Sequence, residues 1–225
     1  CFNSQLLHKE VNMRFTLLFI LVSITLSSAL TLEQVRSSLE KNMITSDSVE
    51  IGIRTSISSP LISNVQGVSV YLVRKGNAKI FAELKMPLVN QRTIVNGNRM
   101  KTINLNTRES QVLPYDGESL KAHSYTNFNP LASGEWGEPK FVSENLYSIK
   151  GDKGTLFYNS KKKRIEKMES EESDKSVLTE FTYDAENNLK TMSVYVSTQG
   201  VETKILTEIL KLRHSRDFPD KLFEF

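Results

Sequence analysis

The chain has 225 residues, a formal net charge of +3 at pH 7 and a single cysteine, Cys1. Its 29 lysines and arginines interleave with 26 aspartates and glutamates, which excludes the sustained basic face that nucleic-acid binding uses. With no cysteine after residue 1, a disulfide framework, a thiolate metal site and a cysteine nucleophile are excluded from the rest of the chain.

The first element is Met13–Ala29, MRFTLLFILVSITLSSA. A basic Arg14, an apolar run too short to span a bilayer comfortably and a small-residue Ser27-Ser28-Ala29 end have the layout of a secretory signal peptide cleaved after Ala29. The signal reads from Met13, so residues 1–12 are taken as an upstream extension. Leu30 stands where a lipid-anchored bacterial protein would carry its cysteine. The expectation is an exported, unanchored domain over 30–225, large enough to bury a core. Removing Lys9, Glu10 and Arg14 takes the net charge from +3 to +2.

Leu32, Val35 and Leu39 recur at i, i+3 and i+7 behind Thr31 and Gln34, a capping-box pattern, which predicts a short amphipathic helix ending near Asn42. The period then changes to two. Ser48–Ile57, Gly67–Arg74, Lys79–Lys85, Gln91–Val95, Arg99–Asn104 and Ser110–Leu113 read as consecutive strands, with Asn96-Gly97-Asn98 as a hairpin turn. Pro114 to Lys140 breaks the rhythm with three prolines and three glycines, and a short helix is expected over Asp116–His123. Strands resume at Leu146–Ile149, Gly154–Tyr158, Arg164–Glu169, Ser176–Tyr183, Leu189–Ser197 and Val201–Leu212. The densest basic run, Lys161–Arg164, is followed by five carboxylates between Glu166 and Asp174 and reads as a strand end and turn. The total is roughly ten or eleven strands and one or two helices, joined as an antiparallel meander.

Catalytic motifs are scarce. His8, His123 and His214 lie in no metal-ligand spacing, and no nucleophile elbow, P-loop or dinucleotide fingerprint occurs. The chain does not read as an enzyme, and no metal or cofactor is expected. Two distant carboxylates could still converge for acid–base work on a sugar, as in an exported hydrolase on a β-sandwich. The strands carry more apolar face than so few helices can cover. That leaves a closed barrel, a sandwich, or a half-barrel plugged by a small helix. A half-barrel of that kind would leave an apolar cavity able to hold acyl chains. Periodicity alone favours a packed core over a cavity wall.

Lys79-Ile80-Phe81-Ala82-Glu83-Leu84-Lys85-Met86-Pro87, followed by Gln91-Arg92-Thr93-Ile94-Val95-Asn96-Gly97, resembles the core of the bacterial outer-membrane lipoprotein carrier family, LolA and its relatives. The terminus Phe218-Pro219-Asp220-Lys221-Leu222-Phe223-Glu224-Phe225 is similar to that family's closing strand. The resemblance implies a mainly β fold with a few short helices: a strongly curved antiparallel sheet forming an unclosed half-barrel with a helical lid. It implies a periplasmic carrier of acylated lipoproteins, loaded by an inner-membrane lipoprotein-releasing transporter and unloaded by an outer-membrane acceptor. A lipid-binding or lipoprotein-sensing module of the same fold is the alternative. The implied lipid-binding wall is Val68, Val70, Leu72, Ile80, Ala82, Leu84 and Ile94, closed by Leu32, Val35 and Leu39 of the helix. Arg74 or Lys75 falls near the family's lid-gating arginine, and Trp136 lies in the region of its lid.

Overall fold

A computed structural model describes residues 29–42, 46–61, 67–117, 129–214 and 216–225. The expected signal segment up to Ser28, most of the expected helix over Asp116–His123, and His123 itself lie outside these residues. The described fold belongs to the compact unit Leu32–Phe225.

The unit opens with helix α1 (Leu32–Lys41), whose apolar stripe puts Val35 fully out of solvent and leaves Leu32 and Leu39 half-buried. The Leu32 amide, one of the donors a helix start leaves unpaired, donates to Glu138 Oε2 at 2.9 Å. Ser38 Oγ and the Tyr158 hydroxyl share a 2.5 Å hydrogen bond, and Asn42 Nδ2 donates to the Lys163 carbonyl at 2.8 Å.

Thirteen antiparallel strands follow. They are β1 (Ser48–Ser58), β2 (Gly67–Lys75), β3 (Lys79–Lys85), β4 (Asn90–Asn96), β5 (Arg99–Asn104), β6 (Ser110–Pro114) and β7 (Lys140–Ser143). The second half is β8 (Leu146–Gly151), β9 (Gly154–Asn159), β10 (Arg164–Glu172), β11 (Lys175–Tyr183), β12 (Leu189–Thr198) and β13 (Val201–His214). They form one curved, unclosed sheet in the order β6-β5-β4-β3-β2-β1-β13-β12-β11-β10-β9-β8-β7. Two meanders, β1–β6 and β7–β13, are thus joined through the β1–β13 pair, leaving β6 and β7 as edges. A bulge between Gly52 and Ile53 gives β13 one extra residue, Leu210, at that seam.

Strand pairing sorts the side chains into two faces, because alternate residues point to opposite sides. The inner face, on which α1 meets Tyr158, carries Val49, Ile51 and Ile53 packed with Val70, Leu72, Ile209 and Leu212. Ile80, Val95 and Tyr115 continue it with Met100. On the outer face Val73, Phe81 and Ile94 pack under the C-terminal segment, where Phe223 is fully buried and Phe218 and Leu222 flank it.

Three sequence expectations are corrected. The strands number thirteen among the described residues and not ten or eleven, because all twelve period-two runs pair and Lys140–Ser143, at the end of the proline- and glycine-rich stretch, pairs with β8 as a further strand. The terminus expected as a closing strand is instead a 3-10 turn, Asp220–Phe223, lying across β3 and β4. Strands β3 and β4 already have partners on both sides, so this segment has no free edge to join and docks by its side chains. Ile94 belongs to the outer face.

Candidate functional site

The sheet's inner face is the candidate site, and the register builds it row by row. One row runs Ile149, Leu156, Met168, Thr179, Val194, Ile205, Ile57 across β8, β9, β10, β11, β12, β13 and β1. A second runs Leu212, Ile51, Leu72, Ala82 and on into β4. A third joins Ile209, Ile53, Val70 and Leu84. These rows are mainly aliphatic over β8 to β13 and β1 to β3, since alternation along each strand fixes which residues share a face. Ile149, Leu156 and Ile51 are fully buried, whereas Val70, Leu72, Ala82, Leu84, Val194 and Ile205 keep part of their surface open. A packed core would close over such residues; here a wide aliphatic wall remains partly uncovered.

The expected wall residues divide by parity. Val68, Val70, Leu72, Ile80, Ala82 and Leu84 share the inner face, and Val35 of α1 is buried. Ile94 does not join them, since it pairs with Phe81 and Lys101 on the outer face and contacts the cluster around Phe223. Ile94 and Val95 are adjacent apolar residues, so the hydrophobic pattern alone could not say which one faces in. The Asn96–Arg99 hairpin register decides it by setting Val95 opposite Ile80 and Met100.

The expected gating pair also separates. Arg74 lies on the inner face between Val49 and Ile80, and its Nη2 donates to the Ser46 carbonyl at 3.2 Å. Lys75 points to the outer face, where its Nζ meets Asp217 at 2.7 Å and Asp220 at 3.1 Å and donates to the Phe218 carbonyl. Lys75 therefore faces the C-terminal segment and not the inner wall. Its hydrogen bonds to Asp217 and Asp220 raise its pKa, and Asp220 is held low by hydrogen bonds to Lys79 and Lys75. Trp136 is buried, donates from Nε1 to the Ser133 carbonyl and bridges to Gly151.

Sequence reasoning missed Glu50, a carboxylate only 5% exposed on the outer face of β1. Lys211 Nζ reaches it at 2.5 Å, the Tyr71 hydroxyl donates at 2.6 Å, and Arg213 lies at 3.5 Å. The signal available was one glutamate among Val49, Ile51 and Ile53, which cross-strand cations make affordable.

Converging carboxylates do occur, but on the outer face. Glu169, Glu171, Glu180 and Glu202 line a shallow hollow of about 530 Å³ with Tyr195 and Leu178. Glu169 is paired with Lys167, and Glu171, Glu180 and Glu202 are exposed. Such an arrangement lacks the apolar burial that keeps one carboxyl protonated as a general acid. Among the described residues no group of three or more histidines, cysteines or carboxylates is placed to hold a metal ion. No described helix is long and apolar enough to cross a membrane.

No family model matches the sequence, and no curated protein is similar to it. Among solved structures, the chain is similar to a LolA superfamily protein from Nitrosomonas europaea, at 14% identity and a TM-score of 0.49, covering 88% of this chain and 99% of that one. It is also similar to a domain assigned to outer-membrane lipoprotein sorting from Vibrio parahaemolyticus (7% identity, TM-score 0.47, covering 84% and 94%). A DUF1329 family protein from Desulfovibrio piger is similar at 11% identity and a TM-score of 0.45, covering 84% and 97%. The fold described above rests on this chain's own strand pairing.

Proposed function

We propose that this chain is an exported carrier that holds the acyl chains of lipoproteins against the inner face of its sheet and moves them from an inner to an outer membrane. The observation that carries the reading is the partly open aliphatic wall. It spans β1 to β3 and β8 to β13, and among the described residues α1 is the helix that meets it. An acyl chain gains about 0.8 kcal/mol per buried CH₂, so a wall of this kind holds one without any catalytic group. The function is binding, not catalysis. The signal-like Met13–Ala29 supports export to the periplasm, and the strand motifs around Lys79–Asn98 support the carrier class. The partners on this reading are acylated lipoproteins, a transporter that releases them from the inner membrane and an acceptor in the outer one.

The test is native mass spectrometry of the protein purified from a periplasmic extract, followed by denaturation to identify what was bound. A co-purified acylated peptide or lipoprotein supports the carrier. Phospholipid or fatty acid alone redirects the reading to lipid transport. A clean apo mass with no uptake of added acylated peptide overturns it.

A further inference from the structure

The row that begins Leu212, Ile51, Leu72, Ala82 does not stay aliphatic. It continues through Thr93 of β4, Thr102 of β5 and Gln111 of β6, so one line of inner-face positions grades from hydrocarbon to hydroxyl to amide. The next row does the same, passing from Val70 and Leu84 to Gln91 and Asn104. The polar stripe is uncharged. Every ionisable residue of β3, β4 and β5, namely Lys79, Glu83, Lys85, Arg92, Arg99 and Lys101, falls on the outer face, and β6 has none. Thr93 and Thr102 are half-buried and directly paired across the strands. Gln91 Nε2 donates to Thr93 Oγ1 at 3.3 Å, while Thr102 and Gln111 have no side-chain hydrogen bond among the described residues. Once a bound chain excludes water from this wall, these hydroxyls cost free energy unless the ligand itself supplies a polar partner, and here two of them stand side by side with Gln111 next in the row.

We propose that the inner face takes its acyl ligand across the strands, with hydrocarbon over Ile51, Leu72 and Ala82 and an uncharged carbonyl linkage on Thr93, Thr102 and Gln111. The linkage is an ester or an amide of the acyl chain, not a free carboxylate, because among the described residues of β3 to β6 no cation lies on the inner face to balance one, and the inner-face Arg74 of β2 donates to the Ser46 carbonyl. This inference rests on the carrier reading and adds the orientation and the head chemistry of the cargo.

The experiment measures binding of 1-monooleoylglycerol, N-oleoylethanolamine and ionised oleate to the full chain and to Thr93→Val/Thr102→Val, with melting curves on both. Valine is isosteric with threonine and suits a strand, so the variant keeps the fold. Wild type is expected to bind one or both neutral ligands about ten-fold more tightly than oleate, as two hydrogen bonds would give. The ligand preferred, ester or amide, identifies the linkage. The variant is expected to lose that preference, binding the neutral ligands and oleate with affinities within about two-fold of one another. Equal binding of all three by wild type, or a preference that survives in the variant, overturns the proposal. Binding of none by wild type overturns the carrier reading itself, a result separate from lost preference. A variant that melts early is replaced by Gln111→Leu on the exposed edge strand, which should lower the same preference.

Discussion

Glu50 shows how one residue holds the seam between the two meanders. Burial alone would raise its pKa, but hydrogen bonds from Lys211 and Tyr71 and the charges of Lys211 and Arg213 outweigh burial and hold it below the ordinary 4.5. Tyr71, half-buried and hydrogen-bonded to that carboxylate, is pushed up to about 12 from 10.0. The two shifts act at opposite ends of the pH scale. A lowered carboxyl contributes stability that is full above its unfolded value and is lost as pH falls through the folded one. A raised phenol contributes stability that is full below 10.0 and is lost as pH climbs towards about 12. Urea midpoints measured across this range should therefore fall at both ends, with Glu50→Gln flattening the acid limb and Tyr71→Phe the alkaline one. Limbs that keep their slopes in the variants would remove Glu50 and Tyr71 as the cause. At neutral pH, Glu50→Ala should cost roughly 2–4 kcal/mol, because it strands two cations and a hydroxyl around an empty site. Gly151 makes a second residue-scale point. An added Cβ there would lie 2.5 Å from the Glu135 carbonyl and 2.7 Å from Trp136 Cδ2, so Gly151→Ala should destabilise by about 1–3 kcal/mol in a urea melt.

At the scale of elements, the C-terminal segment separates apolar docking from surface charge. Phe223 is fully buried against Val73, Phe81 and Ile94, whereas the ion pairs of Asp217 and Asp220 with Lys75 and Lys79 lie in the open. Phe223→Ala should cost about 3–5 kcal/mol, and Asp220→Asn should change the urea midpoint little and not at all in high salt. A larger loss from Asp220→Asn would mean that the charges set the docking. This element was also the least legible in the sequence. Its hydrophobic spacing fits a strand, but whether a segment becomes a strand depends on a free edge, which is a property of the whole sheet. The free edges lie along β6 and β7, away from the β3 and β4 strands that this segment covers, and β7 was itself hidden because Lys140–Ser143 is short and exposed throughout, without a buried alternation to reveal it. The longer strands and α1 could be read because each carries its own period, two for Ile51 and Ile53 or Val70 and Leu72, and near four for Leu32, Val35 and Leu39.

At the scale of the whole sheet, the proposed function turns on which face a residue occupies, and neighbouring positions on one strand test this directly. Leu84 is half-buried on the inner face opposite Val70, and Lys85 follows it on the outer face opposite Ser69. The face taken by six of the seven residues expected on the wall was legible because alternation and the Asn96-Gly97 turn fix their parity. Ile94 was not, because the C-terminal segment makes an apolar cluster on the outer face as well, so apolar character alone no longer means inward. Leu84→Glu places a charge on the wall while leaving the buried Ile51 and Ile80 untouched. If the wall holds acyl chains, desolvating that carboxylate should lower affinity for an acylated peptide by about 100-fold or more, with a small change in melting temperature. Lys85→Glu reverses a charge one residue away but on the other face, and its uptake should match wild type. Equal losses in both variants would mean that the β3–β4 end contributes through general charge. Full uptake by Leu84→Glu would mean that the acyl chain does not lie on this face of β3.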